Sequence, residues 1–463
     1  MEKLKKYKYW LIITALAVFW RFWDFDNRWV FNQDQARDVI IGLYSIRNNV
    51  WPEIGSPSSA GPFNFGPWYH WIIILGEKII PTVNGVWMLF GILSVVTVYL
   101  YFLTGGMVAG VIASMATGAV LNSPDMLNTV IVGFSSALMW WATKNFVETN
   151  KFKWGVLVGV GVGLSINFHF QSLGLLAIPL AIVLVNKFNI KKRLTMGISM
   201  LIGLLITFLP LIIFDIRRNG IWIKSVIEYY TVGVNKFYTP VRWLTEIRDF
   251  WPQLFGSTTV GVNNFGYVWL ILGIILIIKK IKLNKFMGVV FLTLIIEILL
   301  MRNYKGTRSR EYMIAFEGII ILISSWITTE YFKLNKYFGL IILGVFVTLA
   351  GINNWQNIYK YPSQAKDVLE IKRELDGVVL GKVRIMQYQQ SDMVSLPIFY
   401  LYYRENRIDT NGTMISFCDS NRYLCPKGEI ILKNNYRVYN ADLKWDELTP
   451  KNIFDRLMVN YEK

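Results

Sequence analysis

The sequence predicts an α-helical polytopic membrane protein, and its composition carries this prediction. Residues of the AVILMFWYC set make up 54% of the 463 residues, whereas charged residues make up only 17%. Soluble domains average about 45–50% apolar and about 25% charged residues. The 35 Gly, 14 Pro and 2 Cys residues also exclude a disordered chain, a collagen-like chain and a disulfide-rich scaffold.

Eleven apolar segments approach the length of about 20 residues that a helix needs to span a bilayer. They lie at residues 9–23, 85–103, 107–121, 128–147, 154–169, 172–186, 194–214, 264–279, 286–301, 312–329 and 338–354. A further apolar run at residues 68–80 is shorter and contains Glu77 and Lys78. We therefore expect this run to form an interfacial helix in the outer leaflet instead of a span.

The chain has a net charge of +17, and the positions of its cations predict the orientation. Lys and Arg residues occur in short clusters between the apolar segments, as in the cytoplasmic loops of membrane proteins. A nucleic-acid-binding protein would instead concentrate them on one face of a folded domain. With eleven spans, these clusters lie inside if the N-terminus is inside and the C-terminus outside. No small-residue cleavage site precedes Arg21 and Asp24, so the first segment is predicted to be an anchor and not a removed signal.

The predicted topology divides the chain into a transmembrane domain, residues 1–354, and an extracytoplasmic C-terminal domain, residues 355–463. The transmembrane domain has a large first external loop at residues 24–84. In the C-terminal domain, helix patterns at 365–375 and 395–406 alternate with strand patterns at 383–388 and 414–417, which predicts a small α/β unit. Both cysteines, Cys418 and Cys425, lie there, and an oxidising compartment favours a disulfide over two free thiols.

The first external loop contains the motif Asp34-Gln-Ala-Arg37-Asp38. In a helix, Asp34 and Asp38 lie one turn apart, and Arg37 lies three residues from Asp34 on the same side. This arrangement provides a general base and an anion contact. An acidic first turn that complements the helix dipole explains Asp34 equally well. The spacing by itself leaves both interpretations open.

A second candidate site element is the basic segment 302–311, which the topology places outside against the positive-inside rule. Arginine suits bidentate contact with a phosphate, and a cluster of cations also suits lipid headgroups. Both interpretations remain open for its four cations, Arg302, Lys305, Arg308 and Arg310.

These features together resemble the GT-C glycosyltransferases. The chain resembles in particular a bacterial subgroup of family 39, which includes protein O-mannosyltransferases and aminoarabinose transferases of lipid A. The subgroup's motifs are Asp-(Gln/Glu)-x-Arg-Asp, found here at residues 34–38, and Gly-Pro-x-x-x-Gly-Pro-x-Tyr, found at 61–69. The resemblance extends over residues 1–355, but its specific motifs lie in the first 85 residues. The chain departs from the family in having Gln35 where several members have Glu, and in its short 122–128 loop.

The resemblance implies an inverting transferase, of the hexosyl or pentosyl type, in the cytoplasmic (inner) membrane. Its donor would be a polyprenyl-phosphate sugar, and the reaction would occur at the extracytoplasmic face with Asp34 as general base. His169 and His70 are equally interpretable as structural and interfacial residues. The predicted substrate contacts are Arg37, Asp38, Tyr69, His70, Asp125, His169, Gln171, Arg302, Lys305, Arg308, Arg310 and Tyr312.

The alternative is a non-enzymatic transporter or flippase for a lipid-linked or anionic solute. Transporters commonly contain internal repeats and interrupted helices near the membrane midplane. No such repeat is evident here, and the ionisable residues gather at one predicted face. Two His and no Cys cluster do not indicate a zinc site, while a requirement for a divalent metal stays open. The sequence defines neither the sugar, the polyprenol nor the acceptor, which is a protein, a lipid or a glycan.

Overall fold

The protein is described from a computed structural model. The structure describes residues 2–58, 61–186, 188–231, 245–301, 310–360, 364–387, 394–419, 430–431, 436–439 and 446–461. Within these ranges the chain is mostly helical, and strands occur only after residue 382.

The first half of the chain forms helices α1 Glu2–Phe22, α2 Gln33–Asn48, α3 Trp68–Ile79, α4 Gly85–Met115, α5 Thr117–Asn122, α6 Val132–Thr149, α7 Phe152–Phe168, α8 Ala177–Val185, α9 Ile190–Arg217 and α10 Ile221–Thr231. The second half forms α11 Trp251–Val260, α12 Gly266–Ile278, α13 Lys285–Met301, α14 Glu317–Leu334, α15 Lys336–Lys360, α16 Gln364–Val378, α17 Ser395–Arg404 and α18 Pro450–Asp455. Short 3-10 segments lie at Phe25–Asn27, Phe170–Leu176, Asn263–Phe265, Arg310–Phe316 and Arg456–Tyr461, and a π-helical turn at Glu246–Phe250.

The strands are β1 Val383–Gln387, β2 Thr413–Asp419, β3 Ile430–Ile431, β4 Tyr436–Tyr439 and β5 Asp446–Glu447. They form one sheet in the order β3-β4-β2-β1-β5. Strand β1 pairs in parallel with β2, and Val383 faces Thr413, whereas the other pairs are antiparallel. A parallel pair requires a crossover, which α17 supplies. The helices and strands predicted for the tail thus occur near their predicted positions.

The apolar helices make the chain an integral, multi-pass membrane protein. Among the described residues, four helical stretches are long and apolar enough to cross a membrane: Gly85–Met115, Ile190–Arg217, Tyr312–Leu334 and Lys336–Val378. A fifth is added if the pair Ile247–Val260 and Asn263–Ile278, bent by 106°, counts as one span. Several other predicted spans form shorter apolar helices, including α7 with 17 residues. The number of eleven and the orientation therefore stay predictions.

Helix α4 covers the first of two adjacent predicted spans and part of the second, and it is broken between them. Gly106 adopts φ 75° and ψ −161° inside the helix. Glycine has no Cβ and occupies positive φ without steric strain, whereas other L-residues rarely do. The break lies between predicted segments 85–103 and 107–121, so the glycine separates two helical stretches there.

Buried arginines hold the first helix against its neighbours. Arg21 is fully buried and donates to Ser94 Oγ at 2.8 Å and to the carbonyl of Ser114 at 2.9 Å. Arg28 donates to the carbonyls of Trp20 and Val120 at 2.9 and 3.1 Å. A charge inside a membrane protein is costly unless polar groups surround it, and these carbonyls provide that surrounding. The start of the first external loop is thereby fixed to the helical part.

The C-terminal part packs directly on α2 and α3. Arg47 at the end of α2 donates to the carbonyl of Tyr403 at 2.9 Å, and its guanidinium lies 4.2 Å from the Tyr403 ring centre. The Tyr44 and Phe454 rings are 5.0 Å apart. Helix α2 therefore lies between α3 on one side and α17 and α18 on the other.

Candidate active site

Helix α2 begins with a capping box that fixes the conformation of the acidic motif. The Asn32 side chain accepts from the backbone N–H of Asp34 at 2.9 Å, and Gln35 Oε1 accepts from the backbone N–H of Asn32 at 3.1 Å. Such reciprocal bonds satisfy N–H groups that have no partner within a helix. The helix ends at Asn49, which has φ 53°. The acidic motif is thus in a helix, which is the condition for its two aspartates to lie one turn apart.

Gln35 also connects this helix start to the 122–128 loop. Its Nε2 donates to Asp125 Oδ1 at 2.7 Å, and Gln35 itself is fully buried. An amide nitrogen is a donor, whereas a glutamate at this position would present a second acceptor to the Asp125 carboxylate. The departure from the family pattern at Gln35 therefore suits an aspartate at position 125.

Arg37 is bound between the two aspartates of the motif. Its Nη1 lies 2.9 Å from Asp34 Oδ1, and its Nε lies 2.8 Å from Asp38 Oδ1. The side chain of Asp34 is 62% exposed, but that of Asp38 is only 3% exposed. The three side chains thus form one cluster in which Asp34 is the most exposed member, Arg37 is partly exposed and Asp38 is buried.

The electrostatics of the cluster keep Asp38 ionised. Burial would raise the pKa of Asp38, but the charge of Arg37 and the hydrogen bond from His70 outweigh it and lower this pKa to about 2. For Tyr69, burial first and then the charge of Asp38 raise the pKa of the phenol well above its usual value. Tyr69 is therefore a neutral donor, and its hydroxyl donates to the carbonyl of Met126 at 3.1 Å.

His70 and Ser56 close the buried side of the cluster. His70 Nε2 is 3.4 Å from Asp38 Oδ1, and Ser56 Oγ is 3.4 Å from the same oxygen. The His70 ring is fully buried, and within the described part of the chain its Nδ1 has no hydrogen-bond partner. Asp38, Tyr69 and His70 contact one another and other protein groups, and their predicted contacts with substrate remain untested.

A column of stacked rings joins the first loop to two other segments of the predicted site. The His169 ring lies 5.2 Å from Phe65 and 5.1 Å from Tyr312, and both pairs are stacked. Gly66 N–H donates to the carbonyl of Asn167 at 2.9 Å. The backbone N–H of Gln171 approaches His169 Nδ1 at 3.4 Å. Residues 65–66, 167–171 and 312 therefore meet at one place.

The basic segment reaches the same place through its C-terminal end. Arg310 begins the 3-10 segment Arg310–Phe316, and Tyr312 of this segment stacks on His169. Ser136 Oγ donates to the carbonyl of Ala315 at 3.0 Å, which fixes the segment on α6. Residues Arg302, Lys305 and Arg308 and the side chain of Arg310 lie outside the described residues. The predicted Cys418–Cys425 disulfide also lies outside them.

The 122–128 loop completes the assembly. Asn128 Nδ2 donates to the carbonyl of Phe168 at 2.9 Å, next to His169, while Asp125 binds Gln35. The acidic motif, the 122–128 loop, the His169 segment and the Tyr312 segment therefore share one end of the helical part. The sequence predicted this convergence only through the family resemblance.

Three residues that position the site were not selected from the sequence: Gln35, Ser56 and Phe65. The spacing of Asn32 and Gln35 is a capping-box pattern, so the start of α2 was detectable. The roles of Ser56 and Phe65 depend on contacts with α3 and with His169, and no local pattern reports such contacts.

The architecture matches solved membrane glycosyltransferase structures. ArnT from Cupriavidus metallidurans bound to undecaprenyl phosphate aligns with a TM-score of 0.60 at 10% identity, over 93% of this chain and 98% of ArnT. The apo state of ArnT gives 0.54 at 11% identity, over 93% and 97%. The archaeal oligosaccharyltransferase AglB from Archaeoglobus fulgidus, in complex with an inhibitory peptide and a dolichol-phosphate, gives 0.51 at 12% identity, over 81% of this chain and 58% of AglB.

The likeness lies in the fold and not in the sequence. No protein-family model matches the chain, and no curated protein matches it. ArnT and AglB are both members of the GT-C superfamily. The chain thus has the GT-C fold, and the resemblance predicted from its motifs is confirmed at the level of the fold. Within that class, its architecture extends over nearly the whole length of ArnT.

Proposed function

We propose that this protein is a glycosyltransferase that moves a sugar from a polyprenyl-phosphate donor to an acceptor at the outer face of the cytoplasmic membrane. The observation that carries the proposal is the exposed Asp34 carboxylate, at the start of a helix in which the second aspartate of the motif, Asp38, is buried. The GT-C fold supports the class of reaction. The lipid phosphates in the ArnT and AglB structures support the class of donor.

Asp34 is proposed as the general base. A hydroxyl or amine of the acceptor attacks the anomeric carbon, and Asp34 takes its proton. The bond between that carbon and the phosphate oxygen breaks, and the electron pair leaves with the polyprenyl phosphate. Direct displacement of this kind inverts the anomeric configuration. An exposed carboxylate is suited to removing the proton, because it reaches the acceptor without displacing buried groups.

Cations near Asp34 are proposed to bind the donor phosphate. Arg37 Nη2 donates to no residue in the described part of the chain, although Nε and Nη1 are engaged. A guanidinium retains donors that match phosphate oxygens even when one edge is occupied. Arg310 starts the segment that stacks on His169, so the basic segment 302–310 is the second proposed phosphate contact.

The test compares Asp34→Asn with wild type in membranes that contain the native acceptors. The probe is a set of polyprenyl-phosphate sugars with a radiolabelled sugar, and the measurement is label transferred out of the lipid fraction. We expect the Asn variant to lose at least about 100-fold in rate, since a general base typically contributes 10²–10⁴-fold.

Asp26→Asn is the matched control, because Asp26 is an exposed aspartate in the same loop that contacts only Asn84 among the described side chains. Its rate should equal that of wild type. The transporter alternative would be favoured if the protein moves intact lipid-linked sugar across the vesicle membrane and Asp34→Asn moves it equally well. Full transfer by Asp34→Asn would remove Asp34 as base.

A further inference from the structure

We infer that Asp38, supported by His70, is a positioning residue that orients Arg37 toward Asp34 and the proposed phosphate site. This inference rests on the proposed function and adds a role for buried side chains of the cluster. Its basis is the contact series that runs from the buried ring of His70 through Asp38 and Arg37 to the exposed Asp34.

Arg37 has a flexible side chain that must be oriented before it can bind a phosphate. An arginine side chain has several rotatable bonds and about 2 kcal/mol of rotamer entropy. Arg37 is 23% exposed, so packing does not enclose it. A guanidinium held at one edge presents its remaining donors in a fixed direction. Asp38 Oδ1, 2.8 Å from Nε, holds the edge that faces away from Asp34.

Asp38 is itself held in place by its neighbours. It is 3% exposed on its side chain, and His70 Nε2 and Ser56 Oγ both lie 3.4 Å from the oxygen that Arg37 uses. These contacts are longer than the Arg37 bond and therefore weaker. They come from two different segments, helix α3 and the loop before it, so they bind the α2 motif to the 55–70 region.

The contact with Asp38 directs the Arg37 guanidinium toward Asp34. With Nε on Asp38, Nη1 meets Asp34 Oδ1 at 2.9 Å. Asp38 is buried and cannot reach an acceptor hydroxyl at the surface, so it does not serve as a second base. Two aspartates one turn apart thus take different roles: Asp34 faces the reaction, and Asp38 orients the arginine between them.

The test is a double-mutant cycle on the rate of sugar transfer, with Asp38→Asn and Arg37→Gln as the single changes. Two residues that act through one contact have coupled effects, whereas independent residues have additive ones. We expect Asp38→Asn to lower kcat about tenfold in the wild-type background and less than about twofold in the Arg37→Gln background. The unfolding temperature in detergent is measured for every variant.

The outcomes separate this inference from the proposed function. Equal losses from Asp38→Asn in both backgrounds would overturn the positioning role, even if Asp34→Asn is inactive. Full sugar transfer by Asp34→Asn would instead contradict the role of Asp34 as general base. If Asp38→Asn does not fold, His70→Gln is used in the same cycle, with an expected loss of about threefold that also disappears with Arg37→Gln.

Asp376→Asn is the matched control for the removal of a carboxylate from an ion pair. Asp376 binds Lys372 and Arg407 at 2.6 and 2.7 Å within the C-terminal part, away from the α2 motif. This variant should retain the wild-type kcat. A tenfold loss of kcat in Asp376→Asn would show that the rate responds to the loss of any ion pair. That result would contradict the positioning role of Asp38.

Discussion

Arg404 of α17 forms an ion pair with Glu77 of α3, and Glu77 is almost completely buried. The Tyr400 hydroxyl donates to the other Glu77 oxygen at 2.7 Å. Burial raises the pKa of Glu77, and the charge of Arg404 opposes this effect. The pair connects the C-terminal part to the helix that also carries Tyr69 and His70. The site and the C-terminal part are therefore mechanically joined.

Arg404→Met should loosen this connection. Removal of one partner leaves a buried carboxylate without its counter-charge, which typically costs about 3–5 kcal/mol. Tyr400 still donates to Glu77, so we expect a cost near the lower end of that range. The measurement is the unfolding midpoint in detergent, together with proteolysis of the C-terminal part. Glu53→Gln, which changes an exposed pair with Arg217, is the control and should leave both unchanged.

The free energy of unfolding should depend on pH through the ionisation of Asp38. Its pKa of about 2 in the folded protein lies below the usual 3.8. The ionised group therefore contributes stability above about pH 4, amounting to about 2 kcal/mol, and this contribution disappears as the pH falls toward 2. Asp38→Asn should be less stable than wild type at about pH 6, and the difference should shrink by about pH 3. Unfolding temperatures of both proteins check this, and a constant difference would contradict it.

Gly66→Ala should disturb the contact between the first loop and α7. A Cβ there would lie 2.6 Å from Asn167 Cγ, and Asn167 is fully buried. Overpacking of this kind typically costs about 1–3 kcal/mol. We expect a lower unfolding temperature and at least about tenfold slower transfer, because Phe65 and His169 would separate. Gly197→Ala in α9 has no atom within 4 Å of the new Cβ and should be neutral or slightly stabilising.

His169→Phe distinguishes ring packing from substrate binding. Phenylalanine can stack on Phe65 and Tyr312 as histidine does, and each such pair is worth about 0.5–1.5 kcal/mol. The unfolding temperature should therefore match that of wild type, whereas His169→Ala should lower it. If the ring nitrogens contact the substrate, as predicted from the sequence, the KM for the polyprenyl-phosphate sugar should rise at least about fivefold. An unchanged KM in His169→Phe would assign the residue to packing alone.

Parts of this site were predictable because they are local. The Asp34, Arg37 and Asp38 cluster follows from the i, i+3 and i+4 geometry of a helix, and the helix start follows from Asn32 and Gln35. The break at Gly106 lies where the apolar pattern is interrupted by two glycines. The association of Asp125 with Gln35 was not predictable from spacing, because the two residues are separated by 90 positions.

The sequence by itself determined the class of protein, since apolar composition and helical periodicity depend only on neighbouring residues. It also determined the candidate residues of the motif and the family resemblance. Only the tertiary structure decided that Asp34 is exposed while Asp38 is buried against His70, and that His169 stacks between Phe65 and Tyr312. Burial and long-range contacts arise from the packing of distant segments, and two aspartates four residues apart are chemically identical until that packing separates them.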